Sequence, residues 1–240
     1  MQSPFDPNFL KKSYYERGSV VRDYESSRFG SFSGRWVRAA EEAAINNLLA
    51  KARPPKEGVA LDLPTGTGRM IPLLRYRFKR VIACDISQSM LMDATRYKAD
   101  QYLLCDAAAV NLAPGSVDVI LSSRFLFHYE DPLPFFIEAS RLLRAGGYYI
   151  FDAYNWTPRV WIPGSQRWLG GRVFNHSQAV IKANAQAHGF TLIQQHGVFA
   201  LTPFIYQFLP LFIVRFIESI GAVVLGETKT KTYYLLRKDR

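Results

Sequence analysis

The chain has 240 residues, of which 48% are apolar and 21% charged, with a formal net charge of +10 at pH 7. This length can bury a full hydrophobic core, and the ordinary glycine and proline content excludes collagen-like, low-complexity and disordered proteins. The positive charge lies mainly at the two ends of the chain, so nucleic acid, an anionic membrane and an acidic substrate are all candidate partners, as is plain solubility.

Short apolar runs alternate with longer helical patterns, which is typical of βα units on a parallel sheet. A helical N-terminal cap is predicted over residues 1–57 and a second domain over residues 58–240. One helix should begin after Ser87 as its N-cap, and another should have Pro132 in its first turn and glycines at its end. Buried strands with helices on both faces predict a doubly wound α/β sheet in three layers. Strands are predicted at residues 58–63, 80–85, 101–106, 117–123, 147–154, 190–197 and 231–238.

Residues 58–74, GVALDLPTGTGRMIPLL, pass from the first strand through a Gly- and Thr-rich turn into a helix. Gly66 and Gly68 let the backbone approach a ligand, and amides at a helix start can hydrogen-bond it. Pro64 and Ile71 stand where the dinucleotide fingerprint requires small residues, and no Gly-Lys-Ser/Thr follows as in a P-loop. The turn is therefore expected to bind a ligand, but not a nicotinamide or flavin cofactor.

Three carboxylates follow in order at strand ends: Asp62, Asp85 and Asp106. A ligand lying across these strand ends would meet an acid at each one. A carboxylate can accept hydrogen bonds from both hydroxyls of a ribose, which suits Asp85. Asp106, followed by the small Ala107, could accept from an exocyclic amine and leave room for a flat ring. A single such Asp more often caps a helix or forms a turn, but three in register indicate a nucleoside site.

Several segments together resemble the class I S-adenosylmethionine-dependent methyltransferases over roughly residues 58–153. LDLPTGTGR resembles the family's glycine-rich loop, VIACDISQSML its ribose-binding segment, and EASRLLRAGGYYIFD its run into the fifth strand. CDAAAVNLAPGSVDVILSSRFLFHYEDP resembles its adenine-binding and post-strand-four segments. The resemblance implies a Rossmann-like, seven-stranded, mostly parallel sheet whose last strand is antiparallel.

The resemblance also implies a cofactor, S-adenosyl-L-methionine, which leaves as S-adenosylhomocysteine. Its methionine portion would meet Asp62 and the turn from Thr65 to Gly68, while Asp85 holds the ribose and Ile86 packs on the adenine. Asp106 and Ala107 would contact the adenine edge. The complete set of expected cofactor-binding residues is Asp62, Pro64, Thr65, Gly66, Thr67, Gly68, Arg69, Asp85, Ile86, Met90, Asp106, Ala107, Ser123 and Arg124, the last two lying near the sulfonium.

His128 is the candidate catalytic residue, because it is the only one of four histidines in a segment expected to face the pocket. A neutral imidazole could accept a proton from a hydroxyl or an activated carbon. The alternative role is structural, with the ring packed on the cofactor. No metal-ligand spacing is evident, since Cys84 and Cys105 each close an apolar run and are expected to be small buried side chains without a disulfide framework.

Two segments leave the rim of the predicted site and are candidate lids, residues 155–176 and 200–227. The second has Pro203, Pro210, Arg215 and Glu218, which interrupt the run of about 20 apolar residues that a transmembrane helix needs. An amphipathic element is expected instead, lying either on a membrane surface or over an apolar pocket. The N-terminus lacks a secretory signal, so a cytoplasmic location, with or without membrane association, is expected.

Residues 20–42, VVRDYESSRFGSFSGRWVRAAEE, resemble the region before the first strand in ubiquinone and menaquinone methyltransferases. This resemblance, the apolar rim and the basic ends predict a small lipophilic or aromatic acceptor. An RNA methyltransferase and a noncatalytic membrane-surface module are the alternatives. A nucleic-acid partner is not expected, because SSRF after the fourth strand lacks the motif of amino-methylating nucleic-acid enzymes and neither cysteine follows a proline.

Overall fold

The computed structural model describes residues 30–157 and 173–239. The strands are β1 Val59–Asp62, β2 Arg80–Asp85, β3 Gln101–Leu104, β4 Val117–Ser122, β5 Leu143–Tyr154, β6 Phe190–Val198 and β7 Lys231–Lys238. The helices are α1 Phe32–Ala52, α2 Ile71–Arg75, α3 Gln88–Ala94, α4 Leu133–Leu142, α5 Gln178–Ala187, α6 Pro203–Tyr206 and α7 Leu211–Val224. Short 3-10 turns lie at Thr95–Tyr97, Leu126–His128 and Gly226–Thr228.

The seven strands form one sheet in the order β3-β2-β1-β4-β5-β7-β6. Strands β1, β2, β3, β4 and β5 pair in parallel, whereas β7 lies antiparallel to both β5 and β6. The predicted doubly wound, mostly parallel sheet with an antiparallel last strand is therefore confirmed. Because the order reverses beside β1, the carboxyl ends of β1 and β4 open onto a crevice where such sheets bind ligands.

Each face of the sheet is covered by its own hydrophobic core. On one face α1, α2, α6 and α7 pack on the sheet, with Ile45, Leu74 and Tyr206 fully buried. On the other face α4 and α5 pack through Phe136 and Ile181. Alternate residues of the central strands point into the two cores, which explains why the strands read as continuous apolar runs rather than as an alternating pattern.

Helix α1 belongs to the main core, although it precedes the first strand. Its apolar side chains join the same cluster as Ala60 of β1 and Val81 of β2. Ser31 is its N-cap and accepts a hydrogen bond from the amide of Gly34 at 2.9 Å. The predicted N-terminal cap over residues 1–57 is thus helical over α1, whereas residues 1–29 lie outside the described part of the chain.

The structure corrects the expected end of helix α4 and the expected start of strand β5. Helix α4 has Pro132 as its N-cap but ends at Leu142, before the glycines that were expected to terminate it. Gly146 and Gly147 lie inside β5, which begins at Leu143. Gly147 is needed there, because a Cβ would lie 3.0 Å from the carbonyl oxygen of Asp118 on the neighbouring strand. The N-cap role of Ser87 is confirmed, since its hydroxyl accepts from the amide of Met90 at 3.3 Å.

The expectation that the two cysteines are separate buried thiols is wrong. Cys84 and Cys105 are joined by a disulfide bond that links the ends of β2 and β3. Their sequence separation of 21 residues gives no signal for pairing, and only the parallel register of the two strands brings them together. Each cysteine directly precedes one of the acids of the predicted site, Asp85 or Asp106.

Candidate functional site

The glycine turn after β1 has the backbone conformation that its sequence predicts. Gly66 and Gly68 adopt φ angles of +54° and +83°, in the left-handed region that favours glycine. A Cβ on Gly68 would lie 2.9 Å from the Cα of Ala94 and from the ring of Tyr97, whereas one on Gly66 would meet no atom within 4 Å. Gly68 therefore allows close packing on α3, and Gly66 leaves the open side of the turn clear for a ligand.

The turn is held by its own hydrogen bonds. The amide of Thr65 donates to the carbonyl of Cys84 at 2.7 Å, and the amide of Gly68 donates to the carbonyl of Thr65 at 3.0 Å. The amide of Gly66 donates to the Asp85 carboxylate at 2.8 Å. Three of the backbone amides that were expected to face a ligand, those of Thr65, Gly66 and Gly68, therefore donate hydrogen bonds to groups of the protein itself. Pro64, which follows Leu63 through a cis peptide bond, begins the turn.

Asp85 fixes the turn relative to helix α3. Its second carboxylate oxygen accepts from the amide of Ser87 at 2.9 Å, next to the start of the helix. Burial raises its pKa, while the hydrogen bonds from Ser87, Gly66 and Ile86 lower it. The carboxylate is therefore rigid before any ligand binds. The neighbouring Ile86 is half-buried, and Met90 is buried on α3.

Asp62 is almost fully buried at the end of β1. Its carboxylate accepts from the Thr65 hydroxyl at 2.7 Å. Burial, with a smaller contribution from the charge of Asp85, raises its pKa to about 7 against the opposing effects of that hydrogen bond and of Arg69. A carboxyl with this pKa exchanges its proton near neutral pH, so a bound cation would shift it to the ionised form.

Asp106 is exposed on the turn after β3, where Ala107 beside it is buried. Its carboxylate accepts from the amide of Ala108 at 2.9 Å and retains an accessible surface. Tyr129 shows that two of the acids share one region: burial, together with the charges of Asp106 and Asp85, raises its pKa to about 12. The structure thus brings the three acids of the sequence prediction to one rim of the sheet.

The turn after β4 closes the opposite side of this rim. Arg124 has a φ of +60°, and its amide donates to the Asp152 carboxylate of β5 at 2.6 Å. The hydroxyl of Ser123 is buried and has no hydrogen-bond partner among the described residues. His128 ends the following 3-10 turn with its ring 4.3 Å from that of Phe127. These three predicted residues therefore lie on one short segment that follows β4.

A buried ionic cluster lies behind this turn and joins parts of the chain that are far apart in sequence. Glu41 of α1 accepts from Lys231 of β7 at 2.8 Å and from Arg69 at 3.0 Å. The guanidinium of Arg124 lies 3.5 Å from the same carboxylate. Lys231 also lies 3.0 Å from the Asp152 carboxylate. The cluster thus connects the N-terminal helix, the glycine turn and the post-β4 turn.

The charges of this cluster are mutually dependent because water is excluded. Burial alone would raise the pKa of Glu41, but the charges of Lys231, Arg124 and Arg69 lower it well below its ordinary value. Burial lowers the pKa of Lys231, while the charges of Asp152 and Glu41 raise it, with a net increase. Burial raises the pKa of Asp152 in spite of Lys231. The cluster is stable only as a set of paired charges.

The sequence interpretation missed residues that enter the site from elsewhere. Tyr129 was not selected, although it directly follows His128. Glu41 and Lys231 were not selected, because they lie far in sequence from the strand ends of the predicted site. His176 also contacts this turn: its imidazole Nε2 lies 3.2 Å from the carbonyl oxygen of Leu126. Burial lowers the pKa of His176, so its neutral form is favoured. Residues 158–172 of the candidate lid 155–176 lie outside the described residues.

No group of three or more His, Cys, Asp or Glu side chains that could hold a metal ion occurs within residues 30–157 and 173–239. The identity of the site therefore depends on its carboxylates, its glycine turn and the fold that carries them. Comparison with known proteins supplies the remaining evidence. Residues 61–151, from β1 to β5, match the family model described as a methyltransferase domain.

By this match, residues 61–151 are similar to the methyltransferase-domain family. A malonyl-[acyl-carrier protein] O-methyltransferase from Marinomonas sp. (strain MWYL1) is 32% identical over 152 residues, 61% of this chain and 54% of that protein. The ubiquinone/menaquinone biosynthesis C-methyltransferase UbiE from Desulfotalea psychrophila is 31% identical over 42% of this chain and 43% of that protein. The chain thus spans about half the length of these curated relatives or less.

The fold of the whole described chain also agrees with this family. The structure of magnesium protoporphyrin IX methyltransferase from Synechocystis PCC 6803, with bound SAH, aligns with a TM-score of 0.69. The alignment covers 98% of this chain and 100% of that chain at 15% sequence identity. At this identity the comparison establishes the shared fold, and the residues of the site have to be argued from their own geometry.

Proposed function

We propose that the protein transfers a methyl group from S-adenosyl-L-methionine to a small lipophilic acceptor and releases S-adenosylhomocysteine. The observation that carries this proposal is the position of three acids and a left-handed glycine turn at one rim of the sheet. Asp62, Asp85 and Asp106 end or follow three neighbouring strands, β1, β2 and β3. A nucleoside with an amino-acid tail that lies across these strand ends would meet an acceptor at each one.

The residues fit the cofactor by their chemistry. Asp85 has both oxygens oriented by backbone amides, so it can accept hydrogen bonds from two ribose hydroxyls without first reorganising. Asp106 presents an accessible carboxylate toward an adenine amine, beside the buried Ala107. Asp62, with its pKa raised to about 7 by burial, would ionise against the ammonium group of the methionine tail. Tyr129 would pack at the adenine end.

The cofactor supplies a methyl group on a cationic sulfur, and the protein's part is to position the acceptor and exclude water. Arg124 and Ser123 would line the rim beside the sulfur. The ionic cluster behind Arg124 holds this turn in a fixed conformation, because Asp152 accepts from the Arg124 amide while it pairs with Lys231. His128 would accept a proton where the acceptor atom carries one.

A small acceptor is supported by the relatives, one of which is named for malonyl-[acyl-carrier protein] and another for ubiquinone and menaquinone biosynthesis. A lipophilic acceptor is supported by the large apolar side chains that are exposed to solvent within residues 200–227. Contact with a membrane surface would give the enzyme access to such an acceptor.

The proposal is tested by incubating the purified protein with a lipid and metabolite extract and isotope-labelled S-adenosyl-L-methionine. Mass spectrometry should find the label in a compound of low molecular weight that partitions into organic solvent. Asp85→Asn should abolish this labelling in a protein that still unfolds cooperatively. Label recovered in RNA, or in no fraction despite tight binding of the cofactor, would contradict the proposed acceptor class.

A further inference from the structure

Helix α7 carries a row of large apolar side chains that point away from the protein. Phe212 is 73% exposed, Phe216 is 66% exposed and Val223 is 86% exposed. Ile220 and Val224 are also exposed. These residues recur every three or four positions, so they form one continuous stripe along the helix. Phe208, exposed in the turn before the helix, extends it. Together these six residues are called the α7 stripe.

The opposite side of α7 is fixed to the protein body. Val214 is fully buried in the core, and a Cβ on Gly221 would lie 2.2 Å from the Cβ of Ala200, so the helix backbone lies directly on that loop. Glu218 accepts from the amide of Ala200 at 2.7 Å and from the hydroxyl of Tyr206. A lid that closes over an apolar pocket would turn its apolar side inward, whereas here that side faces out.

The charges around the stripe favour an anionic partner. Between residues 203 and 226 the chain has two charged side chains, Arg215 and Glu218. Arg215 is exposed, whereas Glu218 is held against the protein body, so this stretch presents a cation and no acid on its exposed side. The whole chain has a net charge of +10, so a second copy would bring like charges together, while anionic lipid would balance them.

The position of the helix relates the stripe to the site. After Val224 the chain passes through the turn Gly226–Thr228 into β7, whose first residue Lys231 pairs with Glu41 and Asp152. The indole of Trp156, just beyond β5, donates to the carbonyl of Thr228 at 3.1 Å. The end of α7 therefore lies at the same rim as the post-β4 turn, and a surface bound there lies beside the acceptor side of the site.

We propose that the α7 stripe inserts into the interfacial layer of a membrane that contains anionic phospholipid, with Arg215 at the level of the lipid phosphates. In the described residues no helix is long and apolar enough to cross a bilayer, so the contact is with one leaflet. A helix of this kind lies in the plane of the interface with its apolar side in the acyl boundary. The inference rests on the proposed function for its purpose, which is access to a lipophilic acceptor.

The test is sedimentation of the full-length protein with vesicles of equal parts phosphatidylglycerol and phosphatidylcholine, and with vesicles of phosphatidylcholine alone. The wild type should bind the anionic vesicles, and the double variant Phe212→Ser, Phe216→Ser should bind them about tenfold or more weakly. Arg215→Glu should weaken binding to the anionic vesicles and leave any binding to neutral vesicles unchanged. The matched control is Tyr76→Ser, Met92→Ser, which removes two apolar side chains that are 87% and 67% exposed elsewhere.

Binding of S-adenosylhomocysteine is measured on every variant and separates this inference from the proposed function. Intact nucleoside binding with no vesicle binding by the wild type would overturn the membrane inference alone. Vesicle binding that both double variants retain equally would overturn it as well. A self-associating wild type that binds no vesicles, and becomes monomeric in the Phe variant, would assign the stripe to a second copy. A wild type that binds vesicles but does not bind S-adenosylhomocysteine would instead contradict the proposed enzyme.

Discussion

Replacing Lys231 by methionine should destabilise the protein strongly, because this residue is the cation shared by two buried carboxylates. Its ammonium lies 2.8 Å from Glu41 and 3.0 Å from Asp152, and all three side chains are almost completely buried. Glu41 would retain Arg69 at 3.0 Å, but Asp152 would keep, among the residues that the structure describes, the amide of Arg124 alone. Removing one partner of a buried ion pair costs about 3–5 kcal/mol, and we expect a loss in that range.

The pH dependence of this loss gives a sharper test than its size. Burial raises the pKa of Asp152, and without Lys231 its folded-state pKa should rise further. A raised carboxyl pKa stabilises the folded state at low pH and costs stability as pH rises. Glu41 has a lowered pKa, so the stability it contributes in the wild type is itself lost at acidic pH. Both effects should make the difference between wild type and variant smaller as the pH is lowered.

Urea denaturation at mildly alkaline and mildly acidic pH measures these differences by linear extrapolation. The matched control is Lys229→Met, which makes the same chemical change two residues away, where the side chain is half-exposed, and should change stability by at most about 0.5 kcal/mol. A loss at Lys231 no larger than that of the control, or one that grows on acidification, would refute the description of the cluster as mutually dependent charges.

Three further substitutions test the turn and the acid beside it. Gly68→Ala should lower the free energy of unfolding by about 2–4 kcal/mol, because its Cβ would meet Ala94 and its φ is positive. Gly66→Ala should lower it by only about 1 kcal/mol, because its Cβ would meet no atom. Equal losses of stability in urea denaturation would contradict the geometry of the turn. Burial raises the pKa of Asp62 to about 7, so the wild type should lose stability as pH rises toward that value. Asp62→Asn should gain ~1–3 kcal/mol relative to wild type over that range, and parallel pH profiles would contradict the raised pKa.

The sheet could be predicted from sequence because each of its strands is a local pattern. The seven predicted strand segments each overlap an observed strand, since buried parallel strands read as uninterrupted apolar runs. The largest difference in a strand boundary is the start of β5, predicted at residue 147 and observed at Leu143. Gly146 and Gly147 resemble a helix end, but here Gly147 allows close approach of β4 and β5, and Gly146 adopts a φ of +78°.

The acids of the site were predictable for the same reason, because each follows a recognisable strand. The ionic cluster was not, since Glu41 and Lys231 are 190 residues apart and neither lies in a motif. The disulfide was missed because its pairing depends on the register of β2 against β3. The outward orientation of α7 was undecided for a similar reason: an amphipathic pattern identifies an apolar face, but only the packed structure shows which way it points.

Calorimetric titration with S-adenosylhomocysteine tests most directly whether Asp62, Asp85 and Asp106 form one nucleoside site. The wild type should bind with an affinity of about micromolar, and Asp85→Asn should bind at least about tenfold more weakly, since it replaces a charged acceptor of the ribose hydroxyls. The unfolding transition of the variant should remain cooperative. No heat with S-adenosylhomocysteine, equal affinity of the two proteins, or binding of NAD in its place would contradict the site.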